Sequence, residues 1–204
     1  GPGDPMNSRD SAWVTTTATS ASAYGLVERL KRGEVAAVGE AYDLHGASVL
    51  AFARRLVGDA DAAQDLVQET FLSLPKSVRR FEERGSLRSF LIAIAVNHAR
   101  HHVRAASRRR AAMERFAREP RAGTVSPEQD LLRSDLASAL TRALDNLPLD
   151  QRVAFVLAEV EERSSKEIAE IVDAPEATVR TRVFHAKKRL REALSRDAAR
   201  GGHS

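Results

Sequence analysis

The stretch Ser164–Leu194 constrains the fold of this chain most, because its pattern is that of two short helices with a break between them. Ser164 and Glu167 form an S-x-x-E pair, in which each side chain can accept a hydrogen bond from the other residue's backbone N–H at a helix start. Pro175 then ends the first helix, since the residue before a proline is pushed out of the helical region. The stretch therefore predicts a helix-turn-helix.

The second helix of this stretch has two contrasting faces. At about 100° per residue, one narrow face is apolar and carries Val179, Val183, Ala186 and Leu190. The opposite face carries Arg180, Thr181, Phe184, His185 and Lys188. Cations, a hydroxyl, an imidazole and an outward aromatic ring suit the DNA major groove. A solvated surface helix is the alternative, but it would not need Phe184 outside.

Helical spacing of apolar residues continues through the rest of the chain, and no stretch alternates as a half-buried strand would. We therefore predict an all-α protein of two small helical domains joined by a flexible linker. The predicted parts are a protease-cleavage scar and disordered segment (1–23), a first domain (24–110), a linker (111–127), a second domain (128–195) and a tail (196–204). The linker prediction depends on Pro120, Gly123 and Pro127.

Within these domains, capping and breaking residues predict where individual helices start and stop. Asp59 to Asp61 can cap a helix over 62–74, which Pro75 should stop or kink. Ser89 starts a long helix that runs to about Arg110. Asp150 can cap a helix over 151–160.

Composition excludes several classes of protein. The 204 residues include no cysteine, so there is no disulfide framework, Cys-based metal site or Cys nucleophile. No apolar run approaches the ~20 residues that span a membrane, and no signal peptide is evident. Glycine-rich nucleotide loops and a G-x-S-x-G elbow are also missing. We expect a cytoplasmic protein with no catalytic residue, cofactor, metal, membrane contact or small-molecule substrate.

Charge is distributed in blocks of alternating sign. Asp59–Glu69 holds four acids and no base, Arg100–Arg121 holds eight arginines and two glutamates, and Thr178–Arg196 holds seven bases and one acid. Such blocks indicate two kinds of partner, one cationic and one polyanionic.

Two polar faces of the first domain are candidate sites. One is acidic and comprises Asp61, Asp65, Gln68 and Glu69. It is either solvated or a docking surface for a basic partner, and without a neighbouring His or glycine-rich loop it does not favour catalysis.

The second candidate site is a polar and cationic stripe of Asn97, Arg100, His101, Arg104 and Arg108. It is either a solvated face or a contact for a nucleic-acid backbone, and the lack of nearby acids favours the second.

Two stretches, in this order, resemble the extracytoplasmic-function (ECF) group of bacterial sigma-70 factors. DAAQDLVQETF and the helix containing IAVNHAR are similar to region 2, and LPLDQRVAFVLAEVEERSSKEIAEIVDAPEATVRTRVFHAKKRLREAL is similar to region 4. The resemblance covers about Tyr24 to Leu194 apart from the linker. It implies a specificity subunit of RNA polymerase without enzymatic activity of its own.

The resemblance also implies roles for residues. The acidic face (Asp61, Asp65, Gln68, Glu69) would dock on the clamp helices of the largest polymerase subunit, and region 4 would meet the flap of the second largest. Promoter DNA at the −10 element would be melted, with one base flipped out, by Phe81, Arg84, Gly85, Ser86, Leu87, Asn97, Arg100, His101, Arg104 and Arg108. The −35 element would be read by Thr178, Arg180, Thr181, Phe184, His185 and Lys188. The expected regulator is an anti-sigma factor.

The chain departs from the family pattern at several positions. The family usually has Trp at Pro75 and at Phe90, Gly-Leu at Glu162-Arg163, and Arg at His185.

Two other functions remain open from sequence alone. One is a helix-turn-helix regulator that acts without polymerase, although no dimerisation segment is visible. The other is a helical protein-interaction or anti-sigma-like adaptor that binds no DNA.

Overall fold

The computed structural model describes residues 25–82, 85–116 and 134–201, and within these ranges every regular element is helical. The helices are α1 (25–31), α2 (Val35–Val57), α3 (Ala60–Ser77), α4 (Leu87–Phe116), α5 (Ser134–Asp145), α6 (Leu149–Phe155), α7 (Ser165–Val172) and α8 (Glu176–Gly201). The all-α prediction is confirmed. None of these described helices is long and apolar enough to cross a membrane.

Helices α1 to α4 form the first unit around an aliphatic core. Its fully buried side chains include Phe52, Leu56, Leu66, Leu74, Leu91 and Ile92. Gly58 ends α2 with a φ of 68°, a left-handed conformation that glycine adopts without a steric penalty. Asp59 then caps α3 as predicted, because its carboxylate accepts the Ala62 backbone N–H at 2.9 Å.

Helix α3 continues through Pro75 to Ser77, so the predicted end at residue 74 is three residues too early and Pro75 does not stop the helix. The proline lies in the last turn, where its missing N–H costs only one hydrogen bond near the helix end. The chain then tightens into a 3₁₀ turn, Val78–Arg80, and the Val78 N–H donates to the Leu74 carbonyl.

Helix α4 begins at Leu87, earlier than the predicted start at Ser89, and it continues to Phe116 past the predicted end near residue 110. The early start has a local cause. The Ser86 hydroxyl accepts the Ser89 backbone N–H at 3.1 Å, which satisfies one of the unpaired donors at the first turn.

Helices α5 to α8 form the second unit. The predicted helix over 151–160 is instead α6 followed by a π-helical turn, Val156–Val160, and no side chain caps α6. Asp150 is therefore not a cap.

The predicted capping box of α7 is confirmed: the Ser164 hydroxyl accepts the Glu167 N–H at 3.3 Å, and the Glu167 carboxylate accepts the Ser164 N–H at 2.8 Å. These bonds, led by the Ser164 backbone N–H, lower the pKa of Glu167. Helix α8 extends to Gly201, into the segment predicted as a frayed tail.

The two units share one hydrophobic core. Val153, Leu157, Ile168 and Val172 of the second unit belong to the same buried cluster as the core of the first unit. A smaller cluster of Ala143, Leu147, Ala186 and Leu190 holds α5 against α8. The arrangement of the two units on this shared core is called the closed arrangement below.

Candidate nucleic-acid interface

Helix α8 separates its apolar and polar faces as the sequence predicts. Val179, Ala186 and Leu190 are buried, and Val183 is half-buried against the core. The outer face presents Arg180, Thr181, Phe184, His185 and Lys188 as exposed side chains. Phe184 is 64% exposed and stacks edge-on with the His185 ring at 5.5 Å between centroids. Thr178 is half-buried at the start of this face.

Ion pairs sort the cations of α8 into two groups. Arg182 pairs with Asp150 at 3.4 Å and Lys187 pairs with Glu159 at 2.6 Å, so both fasten α8 to its own unit. Arg180 pairs with Glu176 at 2.8 Å only one turn earlier on the same helix, at an exposed site where such a pair is weak. Arg180 can therefore exchange this partner for a base or a phosphate at little cost.

Three of the four residues on the acidic face of α3 are exposed, and the fourth, Glu69, is half-buried. Asp61, Asp65 and Gln68 are exposed. Leu72, which the sequence analysis did not select, is 71% exposed and follows Gln68 at helical spacing on the same side. Leu72 lies outside the apolar stripe that α3 buries, and this position can be recognised from the helical spacing of the sequence. Leu72 lines one groove with Tyr42 and Phe71 beside Asp65 and Gln68. An apolar groove rimmed by polar residues is typical of a protein-docking surface.

Glu69, the fourth residue of this face, leans toward α4. Its carboxylate contacts the His102 Nε2 at 2.8 Å and the His98 Nδ1 at 3.5 Å. Partial burial lowers the pKa of His98, while Glu69 opposes this and the nearby His101 and His102 reinforce it. Glu69 thus contacts α4 and is less available to a partner than Asp61 and Asp65.

The residues predicted to capture a −10 base lie around the start of α4. The rings of Phe81 and Phe90 meet edge-on with 5.3 Å between centroids, and Gly85 and Ser86 are exposed beside them. Leu87 is only 8% exposed and belongs to the core, so its side chain cannot contact DNA from this position. Arg84 lies outside the described residues.

The polar stripe of α4 is interrupted. Asn97, His101, Arg104 and Arg108 are exposed. Arg100 is half-buried because its guanidinium donates to Asp150 at 3.1 Å and to the Val172 carbonyl at 3.3 Å. In the closed arrangement this arginine binds the second unit, which the sequence pattern could not reveal.

The exposed faces of α3 and α8 both lie in segments that match models of known protein families. Two family models match the chain, Sigma-70 region 2 over residues 41–109 and Sigma-70, region 4 over residues 137–190. The RNA polymerase sigma-H factor of Pseudomonas aeruginosa is 30% identical over 177 residues, which cover 83% of this chain and 92% of the relative. The ECF RNA polymerase sigma-E factor of Escherichia coli K12 is 31% identical over 173 residues, 81% of this chain and 90% of the relative.

Two solved structures have a fold similar to that of this chain. The sigma factor RpoE of Bartonella quintana, crystallised with the anti-sigma factor NepR, has a TM-score of 0.60 and 27% identity over 77% of this chain and 96% of that one. CnrH, solved with the cytosolic domain of CnrY, has a TM-score of 0.58 at 22% identity over 84% of this chain and 96% of that one, and it shows a shared fold.

Proposed function

Because this chain belongs to the ECF group of the sigma-70 family, we propose that it binds core RNA polymerase and directs it to promoters with defined −35 and −10 elements. One observation carries the proposal. A single chain presents an exposed acidic face on α3, in the segment matched by region 2, and an exposed cationic and aromatic face on α8, in the segment matched by region 4. We expect it to act in the cytoplasm and to catalyse no reaction itself.

The α3 surface is the proposed contact with the clamp helices of the largest polymerase subunit. Asp61, Asp65 and Gln68 would meet basic residues, and Leu72 would fill an apolar site between them. Charges at such an interface accelerate association, and a buried apolar residue contributes affinity. Glu69 would support this surface by holding α4 in register through His102.

The α8 face is the proposed −35 reader. Arg180 can donate two hydrogen bonds to the edge of a guanine, Thr181 and His185 can each bond a base edge, and Phe184 can contact a thymine methyl group. Lys188 lies one turn further along, where a phosphate contact would fix the helix in the groove.

The start of α4 is the proposed site of −10 melting. A base that leaves the duplex could stack beside Phe81 and Phe90, while Ser86 and the exposed Asn97 offer polar groups to its edge. His101, Arg104 and Arg108 would follow the backbone of the displaced strand. Stacking and charge would offset the few kcal/mol that unpairing one base costs.

An anti-sigma factor is the proposed regulator. The support is that RpoE of Bartonella quintana, a structural relative at 27% identity, is bound to one. Such a partner would cover one of the exposed surfaces described above.

A core-binding assay tests the proposal. We expect Asp61→Arg with Asp65→Arg to lower the affinity for purified core polymerase about 100-fold or more, because like charges facing each other across an interface cost several kcal/mol. Asp43→Arg with Glu192→Arg is the control, because it makes the same change of charge at exposed acids of α2 and α8 that are not part of the acidic face of α3. Equal affinity of the double variant and the control for core would refute the docking role of α3.

A further inference from the structure

Glu176, the first residue of α8, is an acid beside an outer face whose other side chains are cationic or neutral. It lies about 40° around the helix from Arg180, because residues four apart return to nearly the same side. Its side chain is 48% exposed, so a partner can reach it. In a helix-turn-helix, the first residues of the recognition helix are the ones that contact base edges. Glu176 is therefore placed to meet a base when α8 enters the major groove.

The ion pair between Glu176 and Arg180 leaves both side chains able to bind a base. The Glu176 Oε1 accepts from the Arg180 Nη1 at 2.8 Å. A carboxylate has about four acceptor positions on its two oxygens, so Oε2 can accept a further hydrogen bond. A guanidinium has several N–H donors, so Arg180 can still donate to O6 and N7 of a guanine. The pair can stay intact in the groove and present an acceptor beside several donors.

The chemistry of the base edges decides which base suits Glu176. In the major groove, cytosine presents its N4 amino group as a donor, whereas guanine and thymine present only acceptors and the thymine methyl group. A carboxylate accepts a hydrogen bond from the amino group of cytosine but is repelled by the carbonyl oxygen of guanine or thymine. Adenine carries its N7 acceptor beside its amino group, so it suits a carboxylate less well than cytosine does.

An acid at this position lowers the affinity for DNA unless it finds such a donor. A carboxylate near the duplex repels phosphates whatever the sequence. A group that weakens binding to the wrong sequences more than to the right one raises specificity. Glu176 also stabilises the helix dipole at the start of α8, but that role is independent of the DNA sequence.

We propose that Glu176 is a specificity-determining residue of the −35 reader, which accepts the N4 amino group of a cytosine close to the guanine bound by Arg180. The proposal rests on the sigma function proposed above. The helix rises about 6 Å from Glu176 to Arg180, and base pairs stack about 3.4 Å apart, so the two side chains reach base pairs within about two steps of each other. The −35 element of this chain therefore contains a guanine and a cytosine at that separation.

Run-off transcription by core polymerase, on a template library with a randomised −35 element, tests the proposal. We expect the parent to select guanine at one position and cytosine at a second. Glu176→Ala should lower the preference for cytosine over thymine about tenfold and keep the guanine. Glu176→Gln should shift the second position toward adenine, whose N6 and N7 a glutamine amide matches. Glu192→Ala is the control, since it removes an exposed acid about four turns further along α8, and it should change neither position.

Three results would overturn the role of Glu176. An equal change on every −35 sequence would mean that Glu176 acts through its charge or through helix stability alone. A relaxation only at the position that Arg180→Ala also relaxes would mean that Glu176 merely positions Arg180. Selection by Glu176→Ala that equals the parent's would mean that the carboxylate contacts no base.

Failure of the sigma function has a different signature, because the parent itself then directs no start sites. In that case, selection of duplexes from the same library by the free chain decides the role of Glu176. Loss of a cytosine preference in Glu176→Ala would support the base contact without polymerase. A preference that survives the substitution, or no selection by the parent, would overturn it.

Discussion

Helices α4 and α8 look alike in sequence but differ in what the fold does with them. Each carries an apolar face opposite a periodic row of polar and cationic residues, and each was predicted to contact promoter DNA. The row on α8 is exposed from Arg180 to Lys188, whereas the row on α4 is interrupted at Arg100 by Asp150 and the Val172 carbonyl. The whole polar row of α8 is therefore open to solvent, whereas the row of α4 is open at its other positions but closed at Arg100, which is bound to the second unit.

The largest expected effect comes from removing the deepest attachment of the second unit. Arg152→Met leaves the carbonyls of Leu56, Asp145 and Leu147 without this donor, and we expect the free energy of unfolding to fall by about 3 kcal/mol. The Arg152 side chain is only 11% exposed, and this burial lowers the pKa of its guanidinium. Urea unfolding measures the loss, with exposed Arg142→Met as the control. A loss no greater than that of the control would mean that the units are not fastened there.

The next effect sharpens the role of α8. In the polymerase complex, Arg180→Ala should weaken binding to a promoter with an intact −35 element by about 1–3 kcal/mol. The complex with a scrambled −35 element should lose much less, because the bond to a base edge is already absent. Equal losses on both DNAs would make Arg180 a phosphate contact instead.

A third experiment compares the two helices directly in the free protein. Arg100→Ala should lower the free energy of unfolding by about 1 kcal/mol, since Asp150 and the Val172 carbonyl lose a donor. Arg180→Ala should change it by less than about 0.5 kcal/mol, because it removes only an exposed pair within one helix. The comparison between α4 and α8 would fail if both variants lost the same stability.

The smallest expected effect is a pH dependence at the α3–α4 contact. The folded state lowers the pKa of His98 below its ordinary value of 6.5, so the unfolded chain binds more protons in the interval between the two pKa values. The contribution of His98 to stability is therefore fully present above pH 6.5 and is lost as the pH falls toward the pKa of the folded state. Solvent reaches this side chain, so we expect less than about 1 kcal/mol. His98→Gln should flatten the fall in melting temperature between pH 7 and 5.5, and an unchanged slope would contradict this assignment.

Local chemistry explains the features that the sequence could predict. The capping box at Ser164 and Glu167, the Asp59 cap and the buried face of α8 each depend on residues within a few positions of one another, and all three are confirmed. Glu162 has a left-handed backbone with a φ of 52°, a conformation that glycine adopts without a steric penalty and that a glutamate adopts at a cost.

Contacts between distant segments account for what sequence reasoning missed. Asp150 looked like a helix cap, but its carboxylate binds Arg100 and Arg182. Helical spacing predicts Tyr42 on the inward face of α2, yet it is 52% exposed and rests its ring on Phe71 with 5.1 Å between centroids. Leu87 looked like part of an exposed loop and is in the core. Helical periodicity identifies the face of a helix but does not identify the element that covers it.

Run-off transcription with purified core polymerase on a library of promoter templates tests the central claim most directly. We predict that the added protein directs defined start sites only on templates that carry a −35 and a −10 element at one spacing, because α8 and α4 must engage together. No start sites with any template would contradict the account. Equally strong and selective binding of duplex promoter by the protein without polymerase would contradict it as well.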